Sequence, residues 1–174
     1  MEYCLTINFD LLELTKLLSP WLLAGIAYWL WHKQKEKEII ANESKDLLKI
    51  INELKSCYSM IYVQYHLYIN SNENFDKDYY QKAKKEYYET EKAFTSKITF
   101  LLMLIQDIEI SQLYEKIKLN QAKFSATEFL FENQEDVNSL QELDIRLEKQ
   151  LNQLKFKLVY YAMYKNKIKI SKNT

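Results

Sequence analysis

Two histidines, two cysteines and a broad spread of carboxylates are the residues in this chain that could carry chemistry. His32 stands between Trp31 and Lys33, and His66 lies among Tyr65, Leu67 and Tyr68. Helical metal sites place their ligands in the patterns Glu-x-x-His or His-Glu-x-x-His. Neither spacing occurs, so His66 reads as a polar rim position. Cys4 and Cys57 make no C-x-x-C pair and no disulfide framework. They read as a surface thiol and a helix-face residue. Gly25 is the only glycine. Phosphate-cradling loops, dinucleotide fingerprints and nucleophile elbows all need glycine where backbone approaches ligand, so these chemistries are excluded. The carboxylates alternate with lysines along solvated faces, and no acid–base pair stands out. The expectation is a protein without catalytic residues, metal, cofactor or small-molecule substrate.

Tyrosine is the residue type in excess. Tyr58, Tyr62, Tyr65 and Tyr68 follow helical spacing, Tyr79, Tyr80, Tyr87 and Tyr88 crowd a second stretch, and Tyr160, Tyr161 and Tyr164 a third. A tyrosine ring buries a large area while its hydroxyl stays wet, which suits both bundle rims and protein interfaces. Tyr58, Tyr62, Tyr65, Tyr160, Tyr161 and Tyr164 are therefore the candidate contact surface for a protein partner or a second copy. Charge is balanced overall, with 24 basic and 24 acidic residues, so no global field calls for nucleic acid. It is unevenly distributed, however. Asp107 to Asp144 is acidic, whereas the end YYAMYKNKIKISKNT is basic. That tail would complement its own helix dipole, or meet phosphate on lipid or nucleic acid.

The elements that position these residues are helices. One glycine and one proline in 174 residues leave nothing to punctuate a strand-and-turn architecture. Ile40, Leu47, Ile51, Leu54, Tyr58, Ile61, Tyr65 and Tyr68 recur at steps of three, four or seven, a heptad seam with Ser44 in its one polar gap. The polar run from Asn70 to Asn74 should stop that helix. A second helix begins near Asp76 or Asp78, with Tyr80, Ala83, Tyr87, Phe94, Ile98, Leu101, Ile105 and Ile108 on its inner face. Within it the stretch ITFLLMLI, Ile98 to Ile105, reads as helix buried on most sides. The pattern weakens from Ser111 to Asn138, where Ser125-Ala126-Thr127-Glu128 resembles a capping box opening a short helix through Phe131. Leu147, Leu151, Leu154, Leu158 and Tyr161 then mark a last long helix, from about Asp136 to Lys167. The expected fold is all-α: an N-terminal transmembrane helix, then an antiparallel bundle or coiled coil of about three long helices. With three, the basic tail leaves far from the membrane; an even number would return it.

The transmembrane expectation rests on residues 11–31, LLELTKLLSPWLLAGIAYWLW. A bilayer span needs about 20 apolar residues, and the uninterrupted part from Leu17 to Trp31 covers only about 22 Å of helix. Glu13 and Lys16 must then lie near one face of the membrane, with Tyr28, Trp29 and Trp31 as an aromatic belt at the other. Pro20 would open a helix with Ser19 as its cap, or join two short helices. The membrane residues are Leu17, Trp21, Leu22, Leu23, Ile26, Tyr28, Trp29, Leu30 and Trp31. The acidic amino end and the absence of a small-x-small site argue against a cleaved signal peptide, and no lipidation motif is present. Lys33, Lys35, Lys37, Lys45 and Lys49 follow the segment and only Lys16 precedes it, which predicts an outward amino end and a cytoplasmic carboxy-terminal domain. On this topology the sequon at Asn42 carries no sugar. The domain division expected is 1–31 for the tail and a single membrane-spanning or interfacial helix, and 32–174 for the cytoplasmic bundle.

These readings give a non-enzymatic, single-pass, bacterial plasma-membrane protein that binds the lipid bilayer and a protein partner, its own copies included. Two rivals follow from the same residues. One is a toxin-like effector whose Leu/Trp segment permeabilises membranes on oligomerising. The other is a soluble regulator that holds nucleic acid through the basic carboxy end, which the balanced charge makes the weaker of the two.

Overall fold

The computed structural model describes residues 11–70, 75–129 and 134–163, all in four α-helices and their short connections. They are α1 (Leu11–Ile69), α2 (Lys77–Leu104), α3 (Ile108–Phe129) and α4 (Gln134–Ala162). The chain divides into two compact units, one ending at Glu38 and the other beginning at Ile39.

The second unit is an antiparallel four-helix bundle. Its first helix buries Ile40, Leu47, Ile51, Leu54, Tyr58, Ile61 and Tyr65, the heptad seam read from sequence, whereas Tyr68 at the end of that seam is exposed. Ser44 sits in the polar gap of the seam, fully buried, and donates its hydroxyl to the Ile40 carbonyl at 2.8 Å. That bond satisfies the buried oxygen within its own helix. At the far end the Asn70 amide nitrogen of the side chain donates to the His66 carbonyl at 2.8 Å, covering one of the helix's orphan acceptors. Residues 71–74, the rest of the expected stop, lie outside the described residues.

Asp76 opens α2 from an extended backbone, φ −109° and ψ 108°, and accepts from the amides of Asp78 and Tyr79. The helix does not continue through Ile108 as the sequence implied. Ile105 is extended, at φ −118° and ψ 144°, and Asp107 caps a new helix by accepting from Glu109 and Ile110 at 3.0 Å each. The apolar run ITFLLMLI is accordingly buried along one side, at Ile98, Leu101 and Ile105, with Phe100 and Met103 exposed.

The count of three long helices is thereby corrected to four. Ser125 and Ala126, expected to open a short helix, are the late turns of α3, which runs unbroken from Ile108. The part of that expectation reaching Phe131 lies outside the described residues. The inner face of α3 is Ile110, Leu113, Tyr114, Ile117, Asn120, Gln121 and Phe124. α4 buries Leu140, Leu143, Leu147, Leu151, Leu154 and Leu158 in steps of three and four. Each fully buried leucine contributes roughly 1.5–3 kcal/mol.

Pairs across the helices give the order around the bundle. Lys97 of α2 meets Glu43 and Asp46 of α1, while Tyr80 donates to the Tyr65 hydroxyl at 2.9 Å, so α1 and α2 run antiparallel. Lys155 of α4 donates to Asn52, and Lys55 pairs with Glu148, so α1 and α4 are antiparallel neighbours as well. α3 meets α2 through Phe94–Tyr114 and Tyr87–Ser125, and meets α4 through Asn120–Gln150 and Glu109–Lys157. Each helix has two antiparallel neighbours, the up-down-up-down arrangement. In the middle, the rings of Tyr58, Tyr87 and Phe124 close on one another at centroid separations of 5.1, 4.9 and 6.1 Å.

Candidate interaction surfaces

Among the described residues, the first unit presents the most apolar surface. Its described part is the amino-terminal portion of α1, and Pro20 lies inside that helix rather than at its start. A proline there deprives the Lys16 carbonyl of its usual donor four residues on. The Ser19 hydroxyl donates to that carbonyl at 3.3 Å, which replaces the missing bond and removes any need for a helix break. Along this helix Leu18, Trp21, Leu22, Leu23, Ile26, Tyr28, Trp29, Leu30 and Trp31 are all exposed, Trp21 to 77%. Leu17 belongs to the same helix, and its side chain is outside the described set. At the polar end the Lys33 ammonium sits over the Trp29 ring, 3.8 Å from its centroid, and His32 meets Glu36 at 3.3 Å. The apolar residues face every direction around the axis, so a surface helix with one greasy stripe is not what this segment forms.

The transmembrane expectation needs correcting on length and hydropathy. Among the described residues, no helix is long and apolar enough to cross a membrane. The reason lies in the composition of the stretch. Ser19, Pro20 and Tyr28 dilute the leucines, and charges at Lys16 and Lys33 close it at both ends.

In the bundle the candidate tyrosines separate by burial. Tyr58, Tyr65 and Tyr161 are buried, Tyr62 is half-buried and Tyr160 is exposed. Tyr164 lies outside the described residues. Tyr65 stacks edge-on against Tyr80, and the Tyr161 hydroxyl donates to Asp107 at 2.7 Å, tying the end of α4 to the α2–α3 connection. These rings are packing elements and latches between helices; an approaching partner meets Tyr160 and the edge of Tyr62.

Perturbed groups are found inside the bundle. The Tyr58 hydroxyl, between Tyr87 and Gln121, has no hydrogen-bond partner of acceptable geometry, and burial holds its pKa well above the ordinary tyrosine value. Tyr87 is likewise pushed up by burial, with Ser125 opposing the shift as a hydrogen-bond partner at 3.4 Å. Burial raises Glu91 too, partly offset by Tyr87. Cys57 is buried and raised for the same reason, and Asp144 is raised by burial and by Glu148. Shifted groups mark active sites when they converge on a cleft. Tyr58, Tyr87 and Cys57 line the packed interior, Glu91 and Asp144 are half-buried, and the five residues include no nucleophile beside a base. Among the described residues no group of three or more His, Cys, Asp or Glu is placed to hold a metal ion. His66 is exposed beside Asn70.

A second surface was not anticipated from sequence. Between α3 and α4 runs an open groove of about 970 Å³, floored by Leu113, with Ile145 and Phe156 exposed at its sides. Glu109, Lys116, Glu148 and Lys149 alternate in sign around it. The signal for it was present in the sequence: Ile145 and Phe156 are large apolar residues off the leucine seam of α4. No protein-family model, curated protein or solved structure matches this chain.

Proposed function

We propose that this is a non-enzymatic, lipid-anchored protein whose helical bundle works by protein contact at the inner face of a bacterial plasma membrane. The observation that carries this reading is the exposed Leu/Trp surface from Leu18 to Trp31. Contiguous apolar surface on that scale marks a membrane or protein contact, and the aromatic residues gathered next to His32 and Lys33 favour lipid. From Lys16 to Lys33 the helix covers roughly 25 Å against a hydrocarbon core of about 30 Å, a mismatch met by thinning of the bilayer and by lysine side chains reaching outward. The excess of lysines after Trp31 favours the cytoplasmic side for the bundle that follows the anchor. The anchor raises the concentration of the bundle at the surface, where weak contacts become effective.

The α3–α4 groove supports the contact function, with a second copy of this chain as its occupant. Its flanks carry both signs of charge, the condition for one copy to face another without repulsion. Carbonate extraction with protease protection tests the reading. The intact chain should stay with the membrane pellet, its bundle cleaved only from the cytoplasmic side, and copies should cross-link through positions 145 and 156. If the intact protein instead purifies without detergent as a single species and stays away from floated vesicles, the proposal fails.

A further inference from the structure

At the end of the bundle away from Ile39, aromatic rings from two helices enclose a cavity. The last turns of α1 carry Tyr65 and Tyr68 about a turn apart, Phe75 leads into α2, and Tyr80 lies in its first turn. Tyr65 meets Tyr80 edge-on at 5.3 Å, Tyr68 meets Phe75 at 5.1 Å, and Phe75 meets Tyr80 at 6.3 Å. The Tyr80 hydroxyl donates to that of Tyr65 at 2.9 Å, which holds two of the walls together. The cavity these rings line measures about 350 Å³. Small-molecule sites run from roughly 300 to 1,000 Å³ and are lined in the same way, by aromatic side chains with a few polar groups.

Two polar groups on the lining define what would complement it. Gln64 is only 8% exposed, and its side-chain oxygen Oε1 is buried without a hydrogen-bond partner. A buried acceptor left unsatisfied costs about 1–3 kcal/mol, so a donor brought into the cavity would relieve a defect the fold otherwise carries. Lys77 is exposed on the lining and makes no ion pair among the described residues. No Asp or Glu is among the described residues that line the cavity, so nothing there neutralises a cationic ligand. Stacking rings, one orphan acceptor and one unpaired ammonium match a flat aromatic body, an N–H or O–H donor and an acid group.

We propose that this cavity binds a small aromatic acid, a one- or two-ring carboxylate held by three contacts. Its ring N–H or O–H donates to Gln64 Oε1, its face stacks on the rings of Tyr68, Phe75 and Tyr80, and its carboxylate pairs with Lys77. The lining comes from both sides of the α1–α2 connection, so an occupied site clamps the two helices at the end opposite Ile39. A ligand that binds the folded chain alone also stabilises it by mass action. The site lies wholly within the bundle and stands whether or not the amino-terminal helix is a lipid anchor.

Indoleacetate is the probe, titrated by calorimetry into the full-length protein in mild detergent. Its N-methyl derivative, plain indole and tetramethylammonium are the comparisons. The expected result is one saturable site for indoleacetate, with the N-methyl acid roughly tenfold weaker because it has no donor for Gln64. Indole lacks the carboxylate and should bind about two- to fivefold more weakly, and Lys77→Gln should remove that difference. Gln64→Leu should make the two acids bind alike, and it deletes an unsatisfied buried group, so the variant folds. Tyr68→Ala, at a position 55% exposed, should weaken indoleacetate about fivefold without unfolding the bundle. No saturable binding at millimolar indoleacetate overturns the proposal. So does binding that Gln64→Leu and Tyr68→Ala leave unchanged, which would place the ligand in the detergent or elsewhere on the chain. Saturable binding of tetramethylammonium in place of indoleacetate also overturns it, assigning the rings to a cation.

Discussion

Tyr58→Phe should stabilise this protein. The ring is at the centre of the bundle, 1% exposed, 5.1 Å from Tyr87 and 4.9 Å from Phe124, and phenylalanine keeps those contacts. What it removes is a hydroxyl that has given up water without gaining a partner. An unsatisfied buried polar group costs about 1–3 kcal/mol. Removing it should therefore add about 1 kcal/mol or more, a rise of roughly 2–4 °C in Tm for a domain of this size. Tyr87→Phe is the matched control, because that hydroxyl is bonded to Ser125 at 3.4 Å. Its loss should lower stability by about 0.5–1.5 kcal/mol, so two chemically identical changes at touching rings should move Tm in opposite directions.

The pH dependence gives an independent arm. Burial holds the folded-state pKa of Tyr58 well above its ordinary value. In the unfolded chain the group ionises near about pH 10, so above that pH the folded state holds the extra proton. Its contribution to stability is intact below about pH 10 and is lost as pH rises further. Phenylalanine has nothing to ionise, so the Tm advantage of the variant should widen between about pH 8 and about pH 11. Thermal unfolding of the full-length protein in mild detergent, followed by circular dichroism, measures both effects. The other tyrosines are common to both proteins and cancel in the difference. A Tyr58→Phe protein that melts below the parent, or an advantage that does not grow with pH, would show that the hydroxyl has a partner and would refute this reasoning.

Glu91→Gln should raise the urea midpoint at neutral pH. Burial raises the Glu91 carboxyl, so its contribution is full below the ordinary carboxylate range and declines as pH rises through the raised value. Unfolding at about pH 4 and about pH 7 should show a flatter profile in the variant, and an unchanged slope counts against the assignment. Cys57, buried and raised in pKa, should react with maleimide at least about tenfold more slowly in the folded protein than in denaturant. Mass spectrometry of a Cys4→Ser protein reads this, and fast labelling under native conditions would show that the core opens locally around α1.

The helices with a long, nearly unbroken apolar seam were legible in the sequence, and α3, with two adjacent amide side chains on its inner face, was not. The seam from Ile40 to Tyr65 and the leucines of α4 repeat at helical spacing and are buried as that spacing demands. α3 has an equally regular inner face, but Asn120 and Gln121 occupy two of its buried places. Asn120 is tolerated there because it donates to Gln150 of α4 at 2.9 Å, a partner that becomes visible only once α3 and α4 are packed. The break between α2 and α3 was hidden for a related reason. A turn without glycine or proline is made by one extended residue, Ile105, and one cap, Asp107, inside an apolar run that reads as continuous helix. Whether a tyrosine ring lies at a rim or in the core is likewise decided by neighbours on other helices, as Phe124 decides it for Tyr58.

Missing one helix changed more than a count. With three long helices the last would end away from Ile39; with four, α4 ends where Tyr161 meets Asp107 at the start of α3. A single aspartate at position 107, by starting α3 and holding Tyr161, thus ties the end of α4 to the turn between α2 and α3. The functional reading of the carboxy end therefore depends on a turn whose only sequence mark is an acidic residue followed by isoleucine. Deleting the cap with Asp107→Ala would remove both the capping bonds and the Tyr161 latch, so the start of α3 and the docking of the end of α4 are coupled through one side chain.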